Sequence, residues 1–279
     1  MIEHPFEPFD LVETNIDKAI IRKNLKKPVL PIIDGGLSTG KTTLAILLMD
    51  MINVKHGLPI VDLDNPIQYA MGGEDFIRKL KQCYEHRLPV ITYDEAGDFS
   101  RKGALTKFNK TLNRVFETFR AYQIIVIMVL PNFSKLSRDI FDNKIPSFLI
   151  HLKERKECYG VAHFYENKSM FYIMHNMKSD IFPEASYSKV YPNFKIRFRD
   201  LSPERSKQLD KLSTLGKREF LEMAEIKLHG LLSYDDIAMS LHKSKIWVKK
   251  KVSIMNIKPQ IIYKKVKYFS NDVVSKFRF

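Results

Sequence analysis

Eight consecutive residues restrict this chain more than any others. Gly35-Gly36-Leu37-Ser38-Thr39-Gly40-Lys41-Thr42 fits G-x-x-x-x-G-K-[ST] at every fixed position. The stretch follows Val29 to Asp34, which reads as a buried strand, and opens Thr42 to Val54, an apolar helix. The glycines let the backbone curl until successive N–H groups face one concavity, and the helix N-terminus adds positive potential there. The expected phosphate cradle is Gly35, Gly36, Leu37, Ser38, Thr39, Gly40, Lys41, Thr42 and Thr43, with Lys41 on the β- and γ-phosphates of ATP and the Thr42 hydroxyl on Mg²⁺. A structural turn with an incidental lysine is the alternative.

Such a site needs an acidic group at the end of a nearby strand. Val90-Ile91-Thr92-Tyr93-Asp94-Glu95 supplies one. Asp94 is expected to hold Mg²⁺ through water, and Glu95 to polarise the attacking water as general base. Asn132 follows the apolar run Ile124 to Leu130, where a neutral polar group could sense the γ-phosphate; an ordinary turn asparagine is the other reading. Arg120 precedes that run, and Arg101 follows the acidic pair. Either could neutralise transition-state charge, in its own subunit or a neighbour's, and Arg120 is favoured.

Together these residues resemble the FtsK/HerA superfamily of P-loop ATPases. Phe119-Arg120-Ala121-Tyr122-Gln123-Ile124 followed by Val129-Leu130-Pro131-Asn132 is similar to that superfamily's segment of arginine, strand and polar residue. Asp94 to Arg101, Phe108-Asn109-Lys110 and Leu130 to Phe133 look closest to ATPases of archaea and of their viruses and plasmids. The resemblance spans roughly residues 28 to 175, and the superfamily often has Gln where this chain has Asn132. It implies a RecA-like P-loop NTPase, a homo-oligomeric ring such as a hexamer, and DNA as the moved substrate.

The rest of the chain agrees with an α/β protein. Leu58 to Leu63, Pro89 to Tyr93 and Ile124 to Leu130 read as strands. Glu74 to His86 and Ala104 to Tyr122 read as helices. This alternation predicts a mainly parallel sheet. Ser147 to Leu152, Gly160 to Tyr165 and Met170 to His175 read as strands of a closing meander. Prolines at 183, 192 and 203 suggest a looser connection, and Ser202-Pro203-Glu204 opens a helix. The expected division is an N-terminal extension (1–27), a P-loop ATPase domain (28–200), a connecting helix (201–230) and a C-terminal domain (231–279).

Charge sets the C-terminal part apart. The chain is net +14, and residues 231–279 alone hold 11 basic and 3 acidic residues, net +8. Ser233-Tyr234-Asp235-Asp236 reads as a capping box. Ile237, Ala238 and Leu241 face inward, His242-Lys243 turn the chain, and Ser244 caps a second helix with Val248 and Val252 inward. Ser244, Lys245, Trp247, Lys249 and Lys250 are then left for a DNA major groove, and Lys264, Lys265 and Lys267 on a following wing for phosphates. The arrangement resembles the winged helix-turn-helix of the MerR/excisionase type, although Lys243 stands where that pattern has an apolar residue. A small basic helical domain that binds protein is the alternative.

The longest apolar run, Ile124 to Pro131, is eight residues, against about 20 for a membrane span. The N-terminus has no signal-peptide pattern, and Cys83 and Cys158 read as buried free thiols of a reducing compartment. The expected location is therefore the cytoplasm, with a virion or plasmid association following from the resemblance. Two functions fit: an ATP-driven DNA translocating or packaging motor, or a nucleotide-switched regulator or partition protein that moves nothing. A morphogenesis ATPase acting on protein fits the basic C-terminus less well.

Overall fold

The structure, a computed structural model, describes residues 4–94, 115, 119–133, 136, 145–153, 159–177, 187–214, 230–263 and 266–277. It divides into two compact units, residues 1–209 and 210–279.

The first unit is built on one eight-stranded sheet: β1 (Phe6–Glu7), β2 (Pro31–Gly35), β3 (Tyr69–Met71), β4 (Val90–Asp94), β5 (Ile125–Val129), β6 (Phe148–Leu152), β7 (Tyr159–Glu166) and β8 (Phe194–Arg199). The order is β1-β8-β7-β6-β2-β5-β4-β3. β6, β2, β5, β4 and β3 run parallel, while β7, β8 and β1 extend the sheet antiparallel. Every residue of β2, β4 and β5 is buried, as parallel strands covered on both faces must be.

Helices α1 (Phe9–Asn24), α2 (Lys41–Lys55), α3 (Gly73–Glu85) and α4 (Asn167–Met177) belong with this sheet, and a further helix, α5 (203–214), begins in the first unit. Phe76, Leu80 and Cys83 of α3 and Met170, Ile173 and Met174 of α4 join Ile32, Ile91, Tyr93, Val126 and Met128 in one apolar layer. The Phe76 and Tyr93 rings stack with centroids 4.8 Å apart. α2 packs against β2, β4 and β5 and is buried on nearly all sides, from Leu44 through Met49 to Ile52. A helix so apolar all round is a central one.

Four segments depart from the sequence-based expectation. Leu58 to Leu63 forms no strand. Side chains take its backbone groups: Val61 N–H donates to Asp50 Oδ1 (2.9 Å), and Val61 C=O accepts from Arg205 Nη2 (3.2 Å). The pairing strand is β3 instead. Met170 to His175 lies in α4, because Met170, Ile173 and Met174 bury one face at helical spacing. Residues 1–27 contribute β1 and α1, in which Val12, Ile16, Ala19 and Lys23 are buried three or four residues apart. Lys23 Nζ reaches His56 Nε2 at the end of α2 (2.9 Å). The proline-marked region contains β8, where buried Ile196 and Phe198 alternate with exposed Lys195, Arg197 and Arg199. α5 opens at the expected place, with Ser202 Oγ accepting from Arg205 N–H (3.4 Å). Of the expected helix 104–122, the described part has residue 115 helical and a 3-10 turn, Phe119–Tyr122.

The second unit holds β9 (Leu232–Ser233), α6 (Tyr234–Ser240), α7 (Lys245–Ile254), β10 (Ile261–Tyr263), β11 (Val266–Phe269) and α8 (Asp272–Lys276). Its antiparallel sheet has the order β10-β11-β9. Ser233 and Asp236 form a reciprocal capping box at α6, and Ser244 Oγ accepts from Trp247 N–H (3.2 Å) at α7. Ile237, Val248, Val252, Phe269 and Val273 make the core, with Leu241 packed against it. Among the described residues no helix is long and apolar enough to cross a membrane.

Cys83 is fully buried, and burial pushes its thiol up to about 12 against the weaker opposing effect of Lys79. In a Cys158→Ser variant, Cys83 should therefore resist a thiol-specific disulfide reagent in the native protein and react at once in denaturant. Rapid native labelling would contradict this packing.

Candidate phosphate-loop site

β2 ends in Asp34-Gly35, the chain turns through residues 36–40, and α2 starts at Lys41. The turn has little freedom. A Cβ on Gly35 would lie 2.7 Å from the Leu152 carbonyl oxygen, and φ at Gly35 is +145°. Gly40 precedes the helix with φ +88°, and a Cβ there would lie 3.3 Å from the Phe198 ring. Thr39 Oγ1 closes the loop by donating to Gly36 C=O (3.0 Å), while Leu37 projects from it, 90% exposed. Ser38 also takes a positive φ, +57°. The first N–H groups of α2 have no partner within their own helix and open at this end.

The Lys41 ammonium donates to Gly35 C=O (2.8 Å) and to Gly36 C=O, so its charge sits against the loop. Burial lowers its pKa below the ordinary lysine value, and the Asp34 and Asp94 carboxylates oppose that shift. Thr42 Oγ1 donates to Asp94 Oδ2 (2.8 Å). Asp94 ends β4, which is not β2's neighbour: β5 lies between them. The gap is two strand spacings, roughly 10 Å, and the Thr42 side chain completes it from above the strand ends. Thr43 is half-buried beside it.

The structure thus brings Lys41, Thr42 and Asp94 together at the C-terminal ends of the parallel strands. Asn132, half-buried, leaves β5 at the same edge. Arg120 is at the other edge. Its 3-10 turn leads into the N-terminal end of β5, a five-residue strand, which separates its backbone from that edge by about 16 Å. Glu95 and Arg101 lie outside the described residues.

Two features of this edge had no sequence signal. The Tyr69 hydroxyl, on the three-residue β3, donates to Asp94 Oδ2 (2.7 Å), the oxygen that Thr42 also uses. Asp34, read from sequence only as the end of a strand, is 1% exposed and meets three groups. Phe133 N–H donates to its Oδ2 (2.9 Å), the Tyr187 hydroxyl donates to the same oxygen, and His151 Nδ1 lies 2.9 Å from its Oδ1. The His151 and Tyr187 rings stack at 3.7 Å. These partners come from separate segments, so no local pattern announces them.

The donor set suits a magnesium nucleotide. A hydroxyl and a carboxylate are hard oxygen ligands of the kind Mg²⁺ takes in small numbers, alongside water and phosphate oxygens. The lysine and the open helix end suit phosphate.

In the second unit, Lys245 and Lys249 of α7 and Lys267 of β11 line one open depression of about 420 Å³ with Tyr234, Asp235 and Val266. Lys245 Nζ pairs with Asp235 (2.6 Å), and Lys249 Nζ stands 5.9 Å from the Tyr234 ring centroid. Lys250 is exposed, Ser244 is engaged as a helix cap, and Trp247 meets Phe277 edge-on at 6.0 Å. Lys264 and Lys265 lie outside the described residues.

No protein-family model matches the sequence, and no curated protein is detectably similar to it. Among solved structures, the N-terminal domain of zonular occludens toxin from Neisseria meningitidis is similar over 63% of this chain and 96% of its own, at 15% identity and a TM-score of 0.39. A KaiC-like protein from Pyrococcus horikoshii is similar over 50% and 79%, at 13% identity and 0.34. A chain of an E. coli HORMA:CdnC:Trip13 complex is similar over 53% and 57%, at 13% identity and 0.33. Likeness at these scores carries no inference about function.

Two variants probe the site. Gly35→Ala should weaken binding of a fluorescent ATP analogue by roughly tenfold or more, because it combines a strained φ with a fixed carbonyl. Tyr69→Phe should raise the Mg²⁺ concentration needed for tight nucleotide binding by roughly tenfold and leave magnesium-free binding unchanged. Equal magnesium titrations would show that Tyr69 does not orient Asp94.

Proposed function

We propose that this chain is an ATP-hydrolysing DNA motor of the FtsK/HerA type, in which the first unit hydrolyses ATP and the second engages DNA. The observation that carries the ATPase reading is the Thr42–Asp94 hydrogen bond of 2.8 Å beside a phosphate loop that holds Lys41. The hydroxyl and the carboxylate come from elements 52 residues apart in sequence and meet beside the loop lysine, as a shared magnesium nucleotide would need.

In this reading the loop N–H groups and Lys41 bind the β- and γ-phosphates. Thr42 and Asp94 hold the magnesium ion, whose charge offsets that of the phosphate oxygens. Glu95, next in the chain, takes a proton from the attacking water, and Asn132 contacts the γ-phosphate. Arg120 begins on the far edge of its own sheet, which favours a role in the site of a neighbouring subunit and hence a ring. Duplex DNA is the substrate that the basic second unit suits, since Lys249, Lys250 and Lys267 are exposed on α7 and β11. Two capped helices joined at 241–244 and followed by a hairpin support a winged helix-turn-helix there.

Lys41→Ala should abolish nucleotide binding. Glu95→Gln should bind ATP normally and hydrolyse it roughly a hundredfold or more slowly. In the unaltered protein, long duplex DNA should raise the ATPase rate, with stimulation falling steeply as salt rises. Normal turnover by Glu95→Gln would overturn the base assignment. Hydrolysis indifferent to duplex DNA would overturn the motor and leave the nucleotide-switched regulator.

A further inference from the structure

We propose that Asp34 is a positioning residue that sets Asn132 against the phosphate loop, so that discrimination between ATP and ADP depends on a buried carboxylate that touches no phosphate. The inference rests on the reading of Asn132 as the γ-phosphate contact.

Asn132 stands between two backbone anchors. Leu130 N–H donates to Ile33 C=O (2.9 Å), and Phe133 N–H donates to Asp34 Oδ2 (2.9 Å). Ile33 and Asp34 are the last residues before Gly35. The segment 130–133 is thus tied on both sides of Asn132 to the chain that becomes the phosphate loop. The first tie continues the sheet ladder. The second is made by a side chain and exists only because residue 34 is an acceptor of the right length.

The carboxylate is itself held. Burying it costs several kcal/mol unless its lone pairs are used, and here the Tyr187 hydroxyl and His151 Nδ1 use them. The His151 ring, from β6, and the Tyr187 ring stack on each other as they hold it. Nothing in this set needs a net charge. Asn at position 34 could keep an oxygen toward Phe133 and Tyr187 and turn its amide toward His151, whose tautomer can adapt.

The test compares ATP and ADP affinities by titration in the full chain, with folding checked by circular dichroism. Asn132→Ala should lower the ATP preference by roughly tenfold or more. Asp34→Ala should lower it by a similar factor, beyond any change common to ATP and ADP that follows from removing a carboxylate near Lys41. Asp34→Asn should restore the preference. If Asp34→Ala does not fold, Asp34→Leu keeps the branched skeleton without the acceptor and is read the same way. In the unaltered protein, the Phe133 amide should exchange with deuterium more slowly with ATP than with ADP.

An unchanged preference in Asn132→Ala would remove the contact assigned to Asn132, and with it the premise. A collapse in Asn132→Ala with none in the Asp34 variants would overturn the positioning role alone. Equal loss of ATP and ADP affinity, or equal exchange at Phe133 with either nucleotide, would also overturn it.

Discussion

Thr42 and Asp94 lie 52 residues apart in the chain, and their hydrogen bond is made across the strand order β2, β5, β4. With β5 between them, the hydroxyl and carboxylate meet. The interposed strand also delivers Asn132 to the gap it creates. Burial of β2, β4 and β5 along their whole length holds that order against thermal motion. Hydrogen bonding sets the strand spacing, and the apolar layer under α3 and α4 matters to the site chiefly by keeping these strands together.

The phosphate loop was legible because its requirements are local. Gly35 and Gly40 must take a positive φ, and Lys41 and Thr42 follow by helix geometry. The helix caps Ser233 and Ser244 were legible for the same reason, since each is satisfied within three residues. Asp94 was legible because a buried strand ending in an acid is itself a short-range pattern.

What escaped was non-local. Tyr69 sits on a strand too short for any period to register. The donors to Asp34 come from residues 133, 151 and 187, and their convergence is a property of the sheet. Leu58 to Leu63 shows the opposite failure: its composition suits a strand, but Asp50 and Arg205 capture its backbone first. In β8 the two-residue alternation was present, and the nearby prolines masked it.

The N-terminal strand has a reach beyond its two residues. Phe6 of β1 pairs with Phe198 of β8. A Cβ on Gly160 would lie 2.1 Å from the Phe198 ring, and the same ring lies beside Gly40 at the foot of α2. Phe198 thus joins β1 through its backbone and the phosphate loop through its ring. Trimming the first residues, or fusing a purification tag to them, is in mechanical terms an operation on the footing of the loop that carries Lys41.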